Sequence, residues 1–237
     1  MTDKPRGLIF DGALIPGVMA GTVKVTSRLI KRANPKHGEP AGAIHPARES
    51  GWIAWWPGNG AGLADFTKRT YEHGFPCPFR VGERRYLKEA WNIDLGSCGD
   101  KDAIGYKVDG AVAFWDGEQL EPAAEPEINW NLVSGGLAET GWRSPMLMPR
   151  WAARTWIEFT AVRPARCQEI TREEILASGI VMDPSGAWCQ GSDTRCYETS
   201  RDAYAALWER LNKARGYPWS ANLWEWRCAF RTVTPCR

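Results

Sequence analysis

The stretch A20-G-T-V-K-V-T-S-R-L-I30 sets Thr22, Lys24, Thr26 and Arg28 at every second position, with Val23, Val25 and Leu29 between them. In an extended chain alternate side chains point to opposite faces. The segment therefore predicts a strand with two hydroxyls, an ammonium and a guanidinium along one side and the valines packed inward. A polar row of that kind can hold an anion or a polar base. The same alternation also marks the solvent face of an antiparallel edge strand, so the segment alone leaves both readings open.

Working outward, residues 13–20 predict a short helix, because Pro16 is tolerated near a first turn and Gly21 suits a left-handed C-cap. Residues 33–65 are rich in Gly and Pro without a sustained period, which predicts a long loop carrying Trp52, Trp55 and Trp56. Residues 84–91 predict a strand entered through Val81-Gly82, and 111–115 a short apolar strand inside the acidic, Pro-containing loops of 92–140. Residues 155–162 alternate again, with Ile157 and Phe159 opposite Glu158 and Thr160. Thr171-Arg-Glu-Glu174 is a capping box that opens a short helix ending at Gly179, and 181–197 reads as a loop rich in Gly, Asp and Ser.

Ser200 can cap a helix over 201–214 whose Tyr204, Leu207, Trp208 and Leu211 form a stripe fit to pack on a sheet. The last strand, 224–233, places Trp224, Trp226, Cys228 and Phe230 on one face and Glu225, Arg227 and Arg231 on the other. Strands and helices do not alternate strictly. The pattern predicts an α+β protein, a small and mostly antiparallel β-barrel or curled sheet with peripheral helices, forming a single domain over 1–237. Its long loop insertions are expected at about 33–75, 92–145 and 181–197.

A chain of 237 residues with 43% hydrophobic content can bury a sizeable core, and its 14 tryptophans are far above ordinary usage. No window is apolar enough for a membrane span, and the N-terminus lacks the order of a signal peptide, so a cytoplasmic protein with no membrane partner is expected. Cys77, Cys98, Cys167, Cys189, Cys196, Cys228 and Cys236 lack C-x-x-C spacing, and only three histidines accompany them. Reduced thiols, no metal site and no cofactor are the expectation. The net charge of +2 is unevenly laid out: residues 22–50 carry six Lys/Arg against two acids, and 91–139 carry ten acids against Lys101 and Lys107. That asymmetry is compatible with an anionic ligand on one face.

Several segments then match one family in order. They are G21-T-V-K-V-T-S-R-L-I30, C77-P-F-R-V-G-E-R-R-Y-L-K-E-A-W91, M148-P-R-W-A-A-R154, I157-E-F-T-A-V-R163 with E169-I-T-R-E-E-I-L-A-S-G179, and L207-W-E-R-L-N212 through W219-S-A-N-L-W-E-W226. In these the chain resembles the phage and prophage proteins of the ASCH family, a branch of the PUA-like superfamily. The resemblance implies a PUA-like pseudo-barrel in a bacterial host cytoplasm, with a cleft suited to RNA or to a modified nucleobase or nucleotide. Family members include RNA-binding domains, proposed ribonucleases and an amidohydrolase acting on N4-acetylcytidine.

The hydrolase motif carries a lysine, a threonine and a glutamate. On this chain the threonine falls on Thr26 and the arginine that follows on Arg28, while Val23 takes the lysine position, with Lys24 one residue on, and Ser178 takes the glutamate position. The catalytic candidates are accordingly Lys24 and Thr26, and a lysine displaced by one residue along a strand points to the other face unless a bulge intervenes. The ligand-binding candidates are Thr26, Arg28, Lys88, Glu89, Trp91, Arg150, Trp151 and Arg154: arginines for phosphate, Trp151 for stacking a base or filling the core, Glu89 and Trp91 from the family motif. A hydrolase of the same fold is the alternative, as is a protein-interaction factor that engages a host protein through Trp52, Trp55 and Trp56.

Overall fold

The computed structural model describes residues 6–30, 43–47, 51–55, 72–74, 77–98, 101–124, 141–190 and 195–234. In chain order the strands are β1 (Gly7–Ile9), β2 (Val25–Leu29), β3 (Ala43–Ala47), β4 (Gly51–Trp55), β5 (Glu72–Gly74), β6 (Arg84–Lys88), β7 (Trp91–Cys98) and β8 (Lys101–Tyr106). They continue with β9 (Val112–Trp115), β10 (Leu120–Pro122), β11 (Trp156–Arg166), β12 (Ile180–Met182), β13 (Trp188–Gln190), β14 (Cys196–Tyr197) and β15 (Trp224–Val233). Among the described residues the α-helices are Ile15–Met19, Arg172–Ala177 and Ser200–Asn212. This is a mixed α+β protein, mostly sheet, and among the described residues no sheet closes into a barrel. No helix among them is long and apolar enough to cross a membrane.

The chain divides into two compact units, one built from Met1–Val23, Arg84–Glu158 and Arg231–Arg237, the other from Lys24–Glu83 and Phe159–Phe230.

In the first unit β1 lies parallel to β6, and the opening of β11 pairs antiparallel with the other edge of β6, Trp156 opposite Tyr86. β7 to β10 form an antiparallel meander. Trp91, Ile104, Tyr106, Ala113, Met148 and Ala152 close its core, where the Tyr106 hydroxyl donates to the Ala152 carbonyl at 2.9 Å. Gly21, at φ +69°, ends the turn after the first helix as its sequence predicts. Gly17 has a separate reason to be glycine: a Cβ there would stand 2.6 Å from Cγ2 of Val23.

Two expectations are corrected in this unit. Residues 84–91 are not one strand, because the chain breaks between β6 and β7 and Glu89 is turned into the interior. Residues 92–145 are not a plain loop insertion, since four strands fill much of that segment. The glycines and acids that read as loop are the turn residues short hairpins require, such as Asp109-Gly110 with Gly110 at φ +69°.

In the second unit β11 neighbours β15, and β15 pairs antiparallel with β2, Cys228 opposite Thr26 and Trp226 opposite Arg28. The helix Ser200–Asn212 packs Ala203, Tyr204 and Leu207 against Ile170, Ile175 and Ile180. Its cap is Thr199, whose hydroxyl accepts from the Asp202 N–H, one residue before the predicted Ser200. The capping box at Thr171 and Glu174 forms as read from the sequence. The segments expected as insertions at about 33–75 and 181–197 instead contribute the three-stranded sheet β3-β4-β5 and most of the sheet β12-β13-β14. Side chains of Trp52 and Trp55 and the whole of Trp56 lie outside the described residues.

The last strand departs from its pattern in one respect. Trp226, Cys228 and Phe230 are buried as predicted, but Glu225 and Arg227 on the opposite face are only 0% and 2% exposed. An alternating polar row predicts solvent; here it is covered by the second unit's own helices and carbonyls and satisfied by ion pairing instead.

Candidate functional site

The segment 141–154 of the first unit is fastened to β6, β7 and the turn between them by a series of specific contacts. Arg143 and Trp91 exchange backbone hydrogen bonds at 2.8 and 3.4 Å, and the Arg143 guanidinium lies 5.2 Å from the center of the Trp91 ring. Lys88 Nζ donates to the Met146 carbonyl at 2.8 Å, and the Glu89 N–H donates to Sδ of Met148 at 3.4 Å. At the end of the segment Arg154 grips Glu89 with two parallel bonds, Nε to Oε1 at 2.9 Å and Nη2 to Oε2 at 2.8 Å.

Arg154 also holds Asp109, Nη1 to Oδ2 at 2.9 Å and Nη2 to Oδ1 at 3.0 Å, while its guanidinium carbon sits 4.0 Å from the Tyr106 ring center. The geometry is fork to fork on two carboxylates at once, which suits a planar guanidinium and no other side chain. Burial works to lower the Arg154 pKa, but Glu89 and Asp109 outweigh it and the net shift is upward. The sequence offered Arg154 as a phosphate ligand. The structure engages it in an internal ion triad, with Glu89 only 1% exposed.

With Lys88, Glu89, Trp91 and Arg154 turned to holding the segment, other groups are left to face outward. Trp151 and Trp115 are half-buried, 5.0 Å apart between ring centers and tilted by 31°, and Trp91 meets Trp151 edge to face beneath them. Trp91 itself is in the core, with its Nε1–H buried and without a hydrogen-bond partner among the described residues. Arg143 and Arg150 are exposed on the same segment, as are Met146 and Leu147 at 70% each. Arg150 reaches across Trp156, 5.2 Å from its ring center.

The remaining predicted residues belong to the second unit. Lys24 is exposed just before β2, its N–H donating to the Ala177 carbonyl at 2.7 Å and its own carbonyl accepting from Phe230 at 2.8 Å. Thr26 and Arg28 are half-buried on β2. Val23, at the family's lysine position, is buried in the first unit. Ser178, at its glutamate position, is buried with its hydroxyl donating to the Ile175 carbonyl at 2.7 Å.

The valine face of β2 carries a polar surprise. Ser27 lies 2.9 Å from the Tyr204 hydroxyl and donates to Oε1 of Glu225 at 2.8 Å. That same oxygen accepts from Arg227 Nε at 2.9 Å and Nη2 at 2.6 Å, and Arg227 Nη1 donates to Glu174, which also accepts from Arg163. Burial pushes the Glu225 carboxyl up, against the pull of Arg227, and pushes the Tyr204 phenol up as well. Burial raises Glu174 too, but the Thr171 N–H, Arg163 and Arg227 bring it below its ordinary value on balance.

A separate cavity of 490 Å³ in the second unit is lined by Gln190, Tyr197, Glu209 and Arg210 among others, and none of the sequence-predicted residues lines it. Asp109, Tyr106, Trp115 and Arg143 were missed from sequence because each falls in the segment read as an acidic insertion. An Asp-Gly turn beside a strand-forming Tyr was the available signal. No family model, curated protein or solved structure matches this chain.

Proposed function

We propose that this protein is a PUA-like module that binds single-stranded RNA or a modified nucleobase or nucleotide on the outer side of segment 141–154. The observation that carries the reading is the half-buried indole pair Trp115 and Trp151, the latter on a segment that also carries the exposed Arg143 and Arg150. Aromatic faces accept bases of any sequence, and neighboring cations follow the phosphate backbone, so the two together are the chemistry of sequence-tolerant single-strand binding. Anchoring the segment through Lys88, Glu89, Trp91 and Arg154 supports the same reading, since a recognition surface works best when its backbone is held in advance. The ordered resemblance to ASCH proteins favors a nucleobase ligand over other anions.

Hydrolysis receives less support. The two positions that carry the family's lysine and glutamate hold a buried valine and a buried, internally bonded serine. Neither position then carries the ammonium or carboxylate that the family pattern uses to activate water and move its proton.

The test is a titration of a short single-stranded RNA into the full chain at several salt concentrations. Trp151→Ala should weaken binding by about 1–3 kcal/mol, roughly ten- to a hundredfold, with the salt slope little changed. Arg143→Ala and Arg150→Ala should each weaken binding and reduce the salt slope by about one. Unchanged affinity in all of them, with the fold intact, would reject the platform.

A further inference from the structure

The short hairpin of β13 and β14 places Cys189 directly opposite Cys196. Asp183, in the turn that precedes β13, reaches the same spot, and its Oδ2 stands 3.9 Å from Sγ of Cys189 and 3.6 Å from Sγ of Cys196. The three donor atoms all lie within 4.8 Å of one another. We propose that Asp183, Cys189 and Cys196 form a binding site for a zinc-class divalent cation, with a fourth position open to water or to a neutral donor from a ligand.

Spacing is the first argument. A tetrahedral zinc with bonds of about 2.3 Å to sulfur and about 2.1 Å to oxygen has sulfur–oxygen edges of about 3.6 Å. The two distances seen, 3.6 and 3.9 Å, already match that edge to within 0.3 Å. Little rearrangement separates the thiol hydrogen bonds of the metal-free site from coordination.

The second argument is how the carboxylate is aimed. Asp183 Oδ1 accepts from the Ser185 N–H at 2.9 Å, the Ser185 hydroxyl at 2.6 Å and the Ala187 N–H at 3.0 Å. Those bonds belong to the tight Asp183-Pro-Ser-Gly186 turn, closed by Gly186 N–H to the Asp183 carbonyl at 3.1 Å with Gly186 at φ +89°. One oxygen is thus fully occupied by the turn, and the other is presented to both sulfurs. An outer shell that fixes a ligand's orientation in this way is what metal sites require.

The donor set decides the metal. Two thiolates select a soft or borderline ion, and a carboxylate beside them favors a divalent cation over copper(I). Binding releases the two thiol protons as each sulfur exchanges its S–H bond for a metal bond. Three anionic ligands then outnumber the charge of the cation, so the fourth ligand is neutral. Cys196 is exposed and Cys189 is buried, which leaves the open position on the solvent side of Cys196. The spacing D-x5-C-x6-C resembles no common zinc signature, which is why the scattered cysteines predicted none.

Cobalt(II) is the probe, because its thiolate complexes absorb by sulfur-to-metal charge transfer. Titrated into the reduced full chain, it should give that absorption with saturation at one equivalent, and zinc should displace it. Cys196→Ser should abolish the band, and Asp183→Asn should weaken binding by more than the roughly ten- to hundredfold that loss of an outer-shell partner costs. Ser185→Ala should weaken it by roughly tenfold, and Cys77→Ser should leave it unchanged. No charge-transfer band in the reduced protein, or a band that survives Cys196→Ser, would overturn the site. A Cys189–Cys196 disulfide found in the purified protein, with no cobalt band after reduction, would overturn it in favor of a cross-strand disulfide.

Discussion

Arg227→Met should destabilize the protein by about 3–5 kcal/mol in urea unfolding, the cost of stranding a buried partner of an ion pair. Arg227 is 2% exposed and Glu225 is fully buried, with the Arg166 and Cys167 carbonyls and Glu174 as further partners of the guanidinium. Removing the cation leaves Glu225 with only Ser27 as a donor among the bonds described.

The pH dependence follows from the direction of the shifts. Glu225 already titrates above its ordinary value, so in the folded protein it favors the proton; its contribution to stability is complete below the unfolded value and is lost as pH rises through the folded one. Without Arg227 that folded value climbs further. The deficit of the variant should therefore be largest at neutral pH and shrink as the pH falls toward about 4.3, the ordinary glutamate value. Glu174 acts in the opposite sense: its net shift is downward, so its contribution is present above the ordinary glutamate value and is lost as pH falls through the folded one. It keeps Arg163 in the variant, and this part of the acid response should survive. Adding Glu225→Gln to Arg227→Met should recover part of the loss, since no charge is then stranded; a double-mutant cycle reads that coupling. A deficit that is the same at every pH would show that packing, and not charge, carries the effect.

Arg154→Met should cost nearly as much, toward the lower end of about 3–5 kcal/mol, because Glu89 is stranded while Asp109 is exposed enough to regain water. Arg154→Lys should rescue little of it, as an ammonium cannot repeat the four bonds the guanidinium makes to two carboxylates. The effect should appear as a shifted urea midpoint with an unchanged slope. A folded, fully stable Arg154→Met with reduced RNA affinity would instead return Arg154 to the role of a phosphate ligand.

Both residues show where the sequence was readable and where it was not. Periodicity placed β2, β6, β11 and β15 and the helix Ser200–Asn212 within a few residues, because each buries an apolar stripe of fixed spacing. It set Glu225 and Arg227 opposite the apolar face but could not read their burial, because alternation reports polarity and not solvent; a paired ionic row can be buried with the same pattern. It also took the dense turn residues of 33–65, 92–145 and 181–197 for loops. Most of the strands there have six residues or fewer and leave almost no period to detect, and their turns supply the Gly, Asp and Pro that suggest loop. At the candidate site the motif residues Lys88, Glu89, Trp91 and Arg154 were found, but not their tasks. Those depend on Asp109, Tyr106, Arg143 and Met148, partners brought near by the chain path and not by sequence spacing.

The surface itself is tested most directly by irradiating the full chain bound to a short single-stranded RNA and mapping the crosslinked peptides by mass spectrometry. The proposal predicts that the crosslinks fall on peptides carrying Trp151 or Trp115 and diminish in Trp151→Ala. Absence of any crosslink, or crosslinks confined to Lys24–Glu83 and Phe159–Phe230, would contradict it.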